Sequence, residues 1–141
     1  MESTLMNTVS DRVRQVTSPA ANKKVAEKTQ SNVVHYANET ESVIQKRIEQ
    51  LDREWDMERL LALNASVLTL TGVVLGSRVN KRWFWMPGVV ASFLGLHAVS
   101  GWCPPVPLFR AFGVRTRMEI DKEKYGLLEI LKIRKQARSN A

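Results

Sequence analysis

Few side chains in this sequence could do chemistry, and the one with most scope is Cys103, its single cysteine. A lone thiol excludes an internal disulfide framework and a zinc site built on several thiolates. Cys103 stands beside Trp102 and close in sequence to Arg110. Cations that lowered its pKa would let the thiolate accept a persulfide from a partner sulfurtransferase or form an intermolecular disulfide. The plainer reading is that Cys103-Pro104-Pro105 makes a turn, with sulfur as a small packed side chain. Haem ligation by a Cys-Pro thiolate would need a second ligand, and none stands at an evident spacing. His97 is the other reactive group, an ionisable residue inside an apolar run. A neutral ring bonded to a neighbouring carbonyl, or to Asn64 or Ser66, is its plainer role. His35 lies in a polar region and carries no signal. No nucleophile with its base, acid–base pair, phosphate-cradling loop or metal cluster is legible. The expectation is a non-enzymatic protein with no metal, no cofactor and no evident small-molecule substrate.

Two stretches must position these residues, and both are nearly free of charge. Although 25% of the 141 residues are charged, none falls between Leu60 and Ser77, and from Trp83 to Phe109 the only basic side chain is His97. Each stretch makes a helix of about 27–30 Å, close to the roughly 30 Å hydrocarbon thickness of a bilayer. The spacing predicts spans over 60–77 and 83–102, with a turn at 78–82. Gly72 and Gly76 form a small-xxx-small pattern suited to close helix packing. Trp83, Phe84 and Trp85 suit a membrane interface, Pro87 a first helical turn, and Pro104, Pro105 and Pro107 end the second span. A turn this short makes the spans antiparallel, with both termini on one side.

Orientation and partners follow from the charges outside the spans. Nine basic residues near the outer ends of the spans, against three in the turn, predict both tails in the cytoplasm. The first 20 residues hold no apolar signal-peptide core, so the first span is expected to direct its own insertion. Residues 1–59 carry nine basic and ten acidic residues, and 110–141 nine basic and four acidic. That basic excess beside the spans favours anionic lipid head groups over nucleic acid, for which no motif is present.

Residues 1–19 read as a flexible N-terminus. Residues 20–59 read as an amphipathic helix, with Ala26, Val33, Ala37, Ile44, Ile48, Leu51 and Trp55 near a spacing of three and four. Lacking Gly or Pro from Ile44 to Leu60, it is expected to run straight into the first span. Its stripe suits either a coiled-coil seam for copies or a partner, or a helix resting on the membrane. The hairpin occupies 60–109 and a cytoplasmic basic tail 110–141. In that tail Thr116 and Glu119 have capping-box spacing, and a helix to about Gln136 carries Ile120, Leu127, Leu128, Leu131 and Arg134 on one side. This helix is read as lying beside the membrane, or alternatively as packing on the N-terminal one. The fold class is thus all-α: a two-span transmembrane hairpin flanked by two amphipathic helices.

The segment Gly101-Trp-Cys103-Pro104-Pro105-Val-Pro-Leu-Phe-Arg110-Ala-Phe-Gly113-Val-Arg115-Thr116, followed by Glu119-Ile-Asp-Lys-Glu123, resembles the YgaP-like transmembrane family of small bacterial two-span inner-membrane proteins. The resemblance covers about Arg59 to Leu131 and implies an inner-membrane hairpin of unassigned activity. Some members carry the hairpin behind a rhodanese domain, which the N-terminal segment here is too short to form. The expected function is an anchor, scaffold or accessory subunit, acting as a homo-oligomer or within a larger membrane complex. The alternative is a redox or sulfur-transfer accessory using Cys103 with a separate rhodanese-like partner.

Overall fold

Residues 9–140 are described by a computed structural model, and among them there are helices and no strand. The helices are α1 Val9–Gln15, α2 Pro19–Ala37, α3 Glu41–Arg53, α4 Met57–Arg78, α5 Trp85–Ser100, α6 Pro105–Ala111 and α7 Arg117–Ser139, with a 3₁₀ turn at Lys81–Phe84 ahead of α5. The all-helical class is as expected, and two of the helical stretches are long and apolar enough to cross a membrane.

Helices α4 and α5 form an antiparallel hairpin. Its 22-residue first arm is about 33 Å long, and the 16 residues of α5 add about 24 Å beyond the 3₁₀ turn. The arms close most tightly near the turn, where glycine makes room. A Cβ at Gly72 would lie 2.7 Å from Pro87 Cδ, and one at Gly76 would lie 2.9 Å from the Phe84 ring. Away from that seam the surface is apolar and uncovered: Leu63, Val67, Leu70, Val74, Phe93, Leu96 and Val99 are all exposed. Serine and threonine hydroxyls on it bond back to their own helix, as Ser66 does to the Ala62 carbonyl and Thr71 to the Val67 carbonyl, both at 2.7 Å.

The remaining long helices make a bundle beside the hairpin. Helix α2 runs parallel to α7, with Asn22 near Glu119, Asn32 at Glu123, and Ala37 and Glu39 at Arg134. Helix α3 runs antiparallel to α7, from Glu41 at Arg138 to Glu54 at Arg115. The core of this bundle is Ile44, Ile48 and Leu51 against Ile120 and Leu127. The apolar stripe expected to serve as a free coiled-coil seam is therefore largely used within the chain. Its α2 part is also shifted in register: Val25 and Thr29 are buried while Ala26 is exposed.

Three further expectations are corrected. Residues 9–19 are not a flexible lead: α1 packs under the hairpin with Val13 fully buried among Met57, Leu61, Cys103 and Val106, while residues 1–8 lie outside the described range. The continuous helix expected over 20–59 and into the first span is broken at 38–40 and again at 54–56. At the second break the Asp56 carboxylate accepts the Arg59 N–H at 2.8 Å and starts α4 afresh. The Met57 N–H meanwhile donates to the Arg115 carbonyl at 3.0 Å. A tertiary bond thus takes the place of the helical one. Finally, α7 packs on α2 and α3, the alternative to lying alone beside a membrane. Four of its basic residues are engaged there, Arg117 and Lys124 with Asp52, Arg134 with the Ala37 and Glu39 carbonyls and Arg138 with Glu41.

Candidate functional site at the hairpin–bundle junction

The segment from Gly101 to Glu123 builds the junction, and its local chemistry explains its residues. Gly101 ends α5 in the left-handed region at φ 77°, and a Cβ there would lie 2.6 Å from the Arg12 backbone. Position 101 therefore needs glycine twice over, for conformation and for the approach of α1. Arg12 in turn donates to the Ala98 and Val99 carbonyls at 3.1 and 2.9 Å, satisfying acceptors that the end of a helix leaves open. Pro104 and Pro105 start α6, where a missing N–H costs nothing. Gly113 ends it with φ 80°. The Gly113 N–H reaches the Arg110 carbonyl and the Val114 N–H the Phe109 carbonyl, both at 3.0 Å, which is a Schellman closure with Val114 and Phe109 packed on one core. Thr116 and Glu119 form the expected capping box at the start of α7.

Two arginines in this segment are buried rather than lipid-facing. Arg110, 1% exposed, makes a two-pronged contact with the Glu119 carboxylate at 2.7 and 3.0 Å and donates to the Asn22 side-chain oxygen at 2.6 Å. Arg115 donates to Glu54 at 2.8 and 2.5 Å and to Glu123 at 2.5 Å. Glu123, fully buried, also accepts from Arg47 at 2.9 Å and from Asn32 at 3.1 Å. Burial pushes the Glu119 carboxyl up, but hydrogen bonds from Arg110 and Thr116 outweigh it and hold the pKa below the ordinary value. Burial acts on Glu123 in the same way, and Arg47, Arg115 and Asn32 outweigh it. From the sequence, Arg110 and Arg115 read as membrane-proximal cations, with Arg110 also close to Cys103, and not as members of buried ion pairs. The available signal was local: each stands eight or nine residues before a glutamate.

Cys103 is buried against Val13, Met57, Leu61 and Val106. Burial pushes its thiol pKa up, which reduces the thiolate needed for persulfide or disulfide chemistry. His97 is 6% exposed. Its bond goes to the Gly101 carbonyl from Nδ1 at 3.1 Å, and its Nε2 is buried without a partner. Of the partners expected for it, Ser66 instead bonds Ala62, while Asn64 shares with His97 and Cys103 the wall of a cleft of about 250 Å³ between α4 and α5. The chemically distinctive residues therefore meet at the α1, α6 and hairpin junction, whereas Gly72 and Gly76 lie toward the turn. Among the described residues no group of three or more His, Cys, Asp or Glu is placed to hold a metal ion.

Comparison with protein-family models, with curated proteins and with solved structures gave no match to this chain.

Proposed function

We propose that this chain is a two-span integral membrane protein whose hairpin anchors a helical bundle acting as a scaffold or accessory subunit. The observation that carries the reading is the apolar exterior of α4 and α5, with Leu70 64% and Val99 75% exposed. Soluble monomers rarely leave so large a contiguous apolar surface in water, and lipid would cover it. The bundle, by contrast, has its own apolar core of Ile44, Ile48, Leu51, Ile120 and Leu127, and the hairpin is tied to its surroundings by Arg12, which donates to the Ala98 and Val99 carbonyls, and by the Met57 N–H, which donates to the Arg115 carbonyl. The surplus of basic residues at the outer ends of the spans supports both termini in the cytoplasm, and the resemblance of Gly101–Glu123 supports a bacterial inner membrane and a YgaP-like affiliation. Exposed Arg78, Lys81 and Arg82 at the turn suit anionic head groups. Tyr125, Leu128 and Ile133 remain exposed on α7 and offer a surface for a second copy or a larger complex.

Alkaline carbonate extraction tests the anchor: the chain stays with the membrane pellet, and release into the supernatant overturns the reading. Mild detergent extraction followed by co-purification and mass spectrometry then identifies assembly size and partner. A Cys103→Ser variant that keeps its partners and the cellular sulfur phenotype unchanged removes the sulfur-transfer alternative.

A further inference from the structure

We propose that the cleft between α4 and α5 binds a membrane-soluble amphiphile through a hydroxyl head group, with His97 and Asn64 as its hydrogen-bonding partners. This rests on the membrane reading of the hairpin, which carbonate extraction tests separately.

Two polar groups of the cleft differ from most of the hairpin's hydroxyls. Ser66, Thr71, Ser77, Ser92 and Ser100 each satisfy their hydroxyl on the carbonyl four residues back. The Asn64 amide makes no hydrogen bond among the described residues, and His97 Nε2 is buried and unbonded. Such groups are costly in apolar surroundings until something bonds them. Both residues line the same cleft, whose other walls include Leu68, Val89, Phe93 and Leu94.

The donor–acceptor arithmetic selects the head group. A carbonyl can only accept, so the His97 proton in the bond to Gly101 sits on Nδ1, and the neutral ring offers Nε2 as an acceptor. A bound head must therefore donate a hydrogen bond there. Asn64 can either donate or accept. A hydroxyl donates to Nε2 while accepting from the Asn64 amide. A ketone or ether cannot donate, a carboxylate or phosphate would bury charge with no cation lining the cleft, and an ammonium would do so with no anion there. At about 250 Å³ the cleft is below the roughly 300–1,000 Å³ of sites that enclose a whole drug-sized ligand. It therefore takes the head and the first carbons, leaving an alkyl chain in the bilayer. Nε2 is covered, so binding parts the walls. The tight contacts at Gly72 and Gly76 lie toward the turn, at the other end of the hairpin from His97.

The chain has two histidines, so nitrogen-15 labelling of histidine gives one reporter in the cleft and one, His35, outside it as an internal reference. The full chain in detergent micelles is titrated with n-dodecanol, with dodecylhydroquinone and with dodecyl methyl ether. The expected result is a saturable shift of the His97 Nε2 resonance with at least one hydroxylated probe, none with the ether, and an unmoved His35. Saturation by the alkanol assigns the site to aliphatic lipid alcohols, and saturation by the hydroquinone alone to aromatic ones. Asn64→Leu raises the half-saturation mole fraction about tenfold, the loss of one hydrogen bond. Equal shifts with the ether, or no saturable shift with either hydroxylated probe on the unmodified chain, overturn the proposal without reliance on a variant.

Discussion

Arg110 and Glu119 face each other in a two-pronged contact of 2.7 and 3.0 Å, joining the helix that follows the hairpin to the first turn of the helix that completes the bundle. The same carboxylate closes the capping box on the Thr116 N–H at 2.9 Å. One side chain thus starts α7 and fixes its direction relative to α6.

Removing one partner of this pair is expected to be severe. Glu119→Ala leaves a buried guanidinium uncompensated and is expected to cost about 3–5 kcal/mol, read as a drop in the thermal midpoint of the detergent-solubilised chain. The double replacement Arg110→Met with Glu119→Leu should recover most of that loss, because neither charge then stays buried alone. A double variant as unstable as Glu119→Ala would show that the pair acts through something other than its charge.

The pH response has a definite sign. Glu119 and Glu123 titrate below the ordinary carboxylate value of 4.5 in the folded chain, so between the two values the unfolded state binds more protons. Their contribution is fully present above about pH 4.5 and is lost as pH falls through the lower, folded values. Melting curves from pH 7 down to pH 3 should be flat at first and then decline below pH 4.5. A Glu119→Gln chain should start lower and decline less steeply.

At Gly101 both conformation and space oppose a side chain. Gly101→Ala must hold φ near 77° and place its Cβ against the Arg12 backbone. The conformational part alone costs about 1–2 kcal/mol, and the contact is relieved by releasing α1. Limited proteolysis should show faster cleavage after Arg12 and Arg14 in the variant. Unchanged cleavage would mean that α1 is not held by this contact.

The thiol offers a test of burial. Cys103 is 7% exposed, with a raised pKa, so maleimide labelling of the folded chain at neutral pH should be slow, and rapid once denaturant is added. Equally rapid labelling in both states would revive the sulfur-transfer alternative.

The break before α4 depends on a cap. Asp56→Ala loses the bond to the Arg59 N–H and is expected to cost about 1 kcal/mol. The loss should appear in the thermal midpoint without change in helix content, since α3 and α4 themselves remain.

Local chemistry was legible in the sequence because its signals lie within a few residues. Uncharged runs of one membrane thickness, prolines that close a helix, glycines spaced four apart and a Thr-x-x-Glu cap all act over one or two turns, and the helices follow them. Beyond the Arg110–Glu119 and Arg115–Glu123 spacings, the pairing of the charges was not legible. Arg115 meets Glu54 across 61 positions, Arg110 meets Asn22 across 88, and Arg12 meets the end of α5 across 87. Taken singly, each looks like a solvated or lipid-facing cation, because a charge is buried only when a distant partner offsets the cost of leaving water. For the same reason the stripe on α3 was legible as apolar but not as taken, and the helix expected to run through Glu54–Asp56 breaks where Arg115 claims Glu54 and the Met57 N–H. Sequence determined the helices and the phase each one suits. Tertiary structure decided which arginines are interior, which face of α3 is already occupied, and that His97, Asn64 and Cys103 line one cleft.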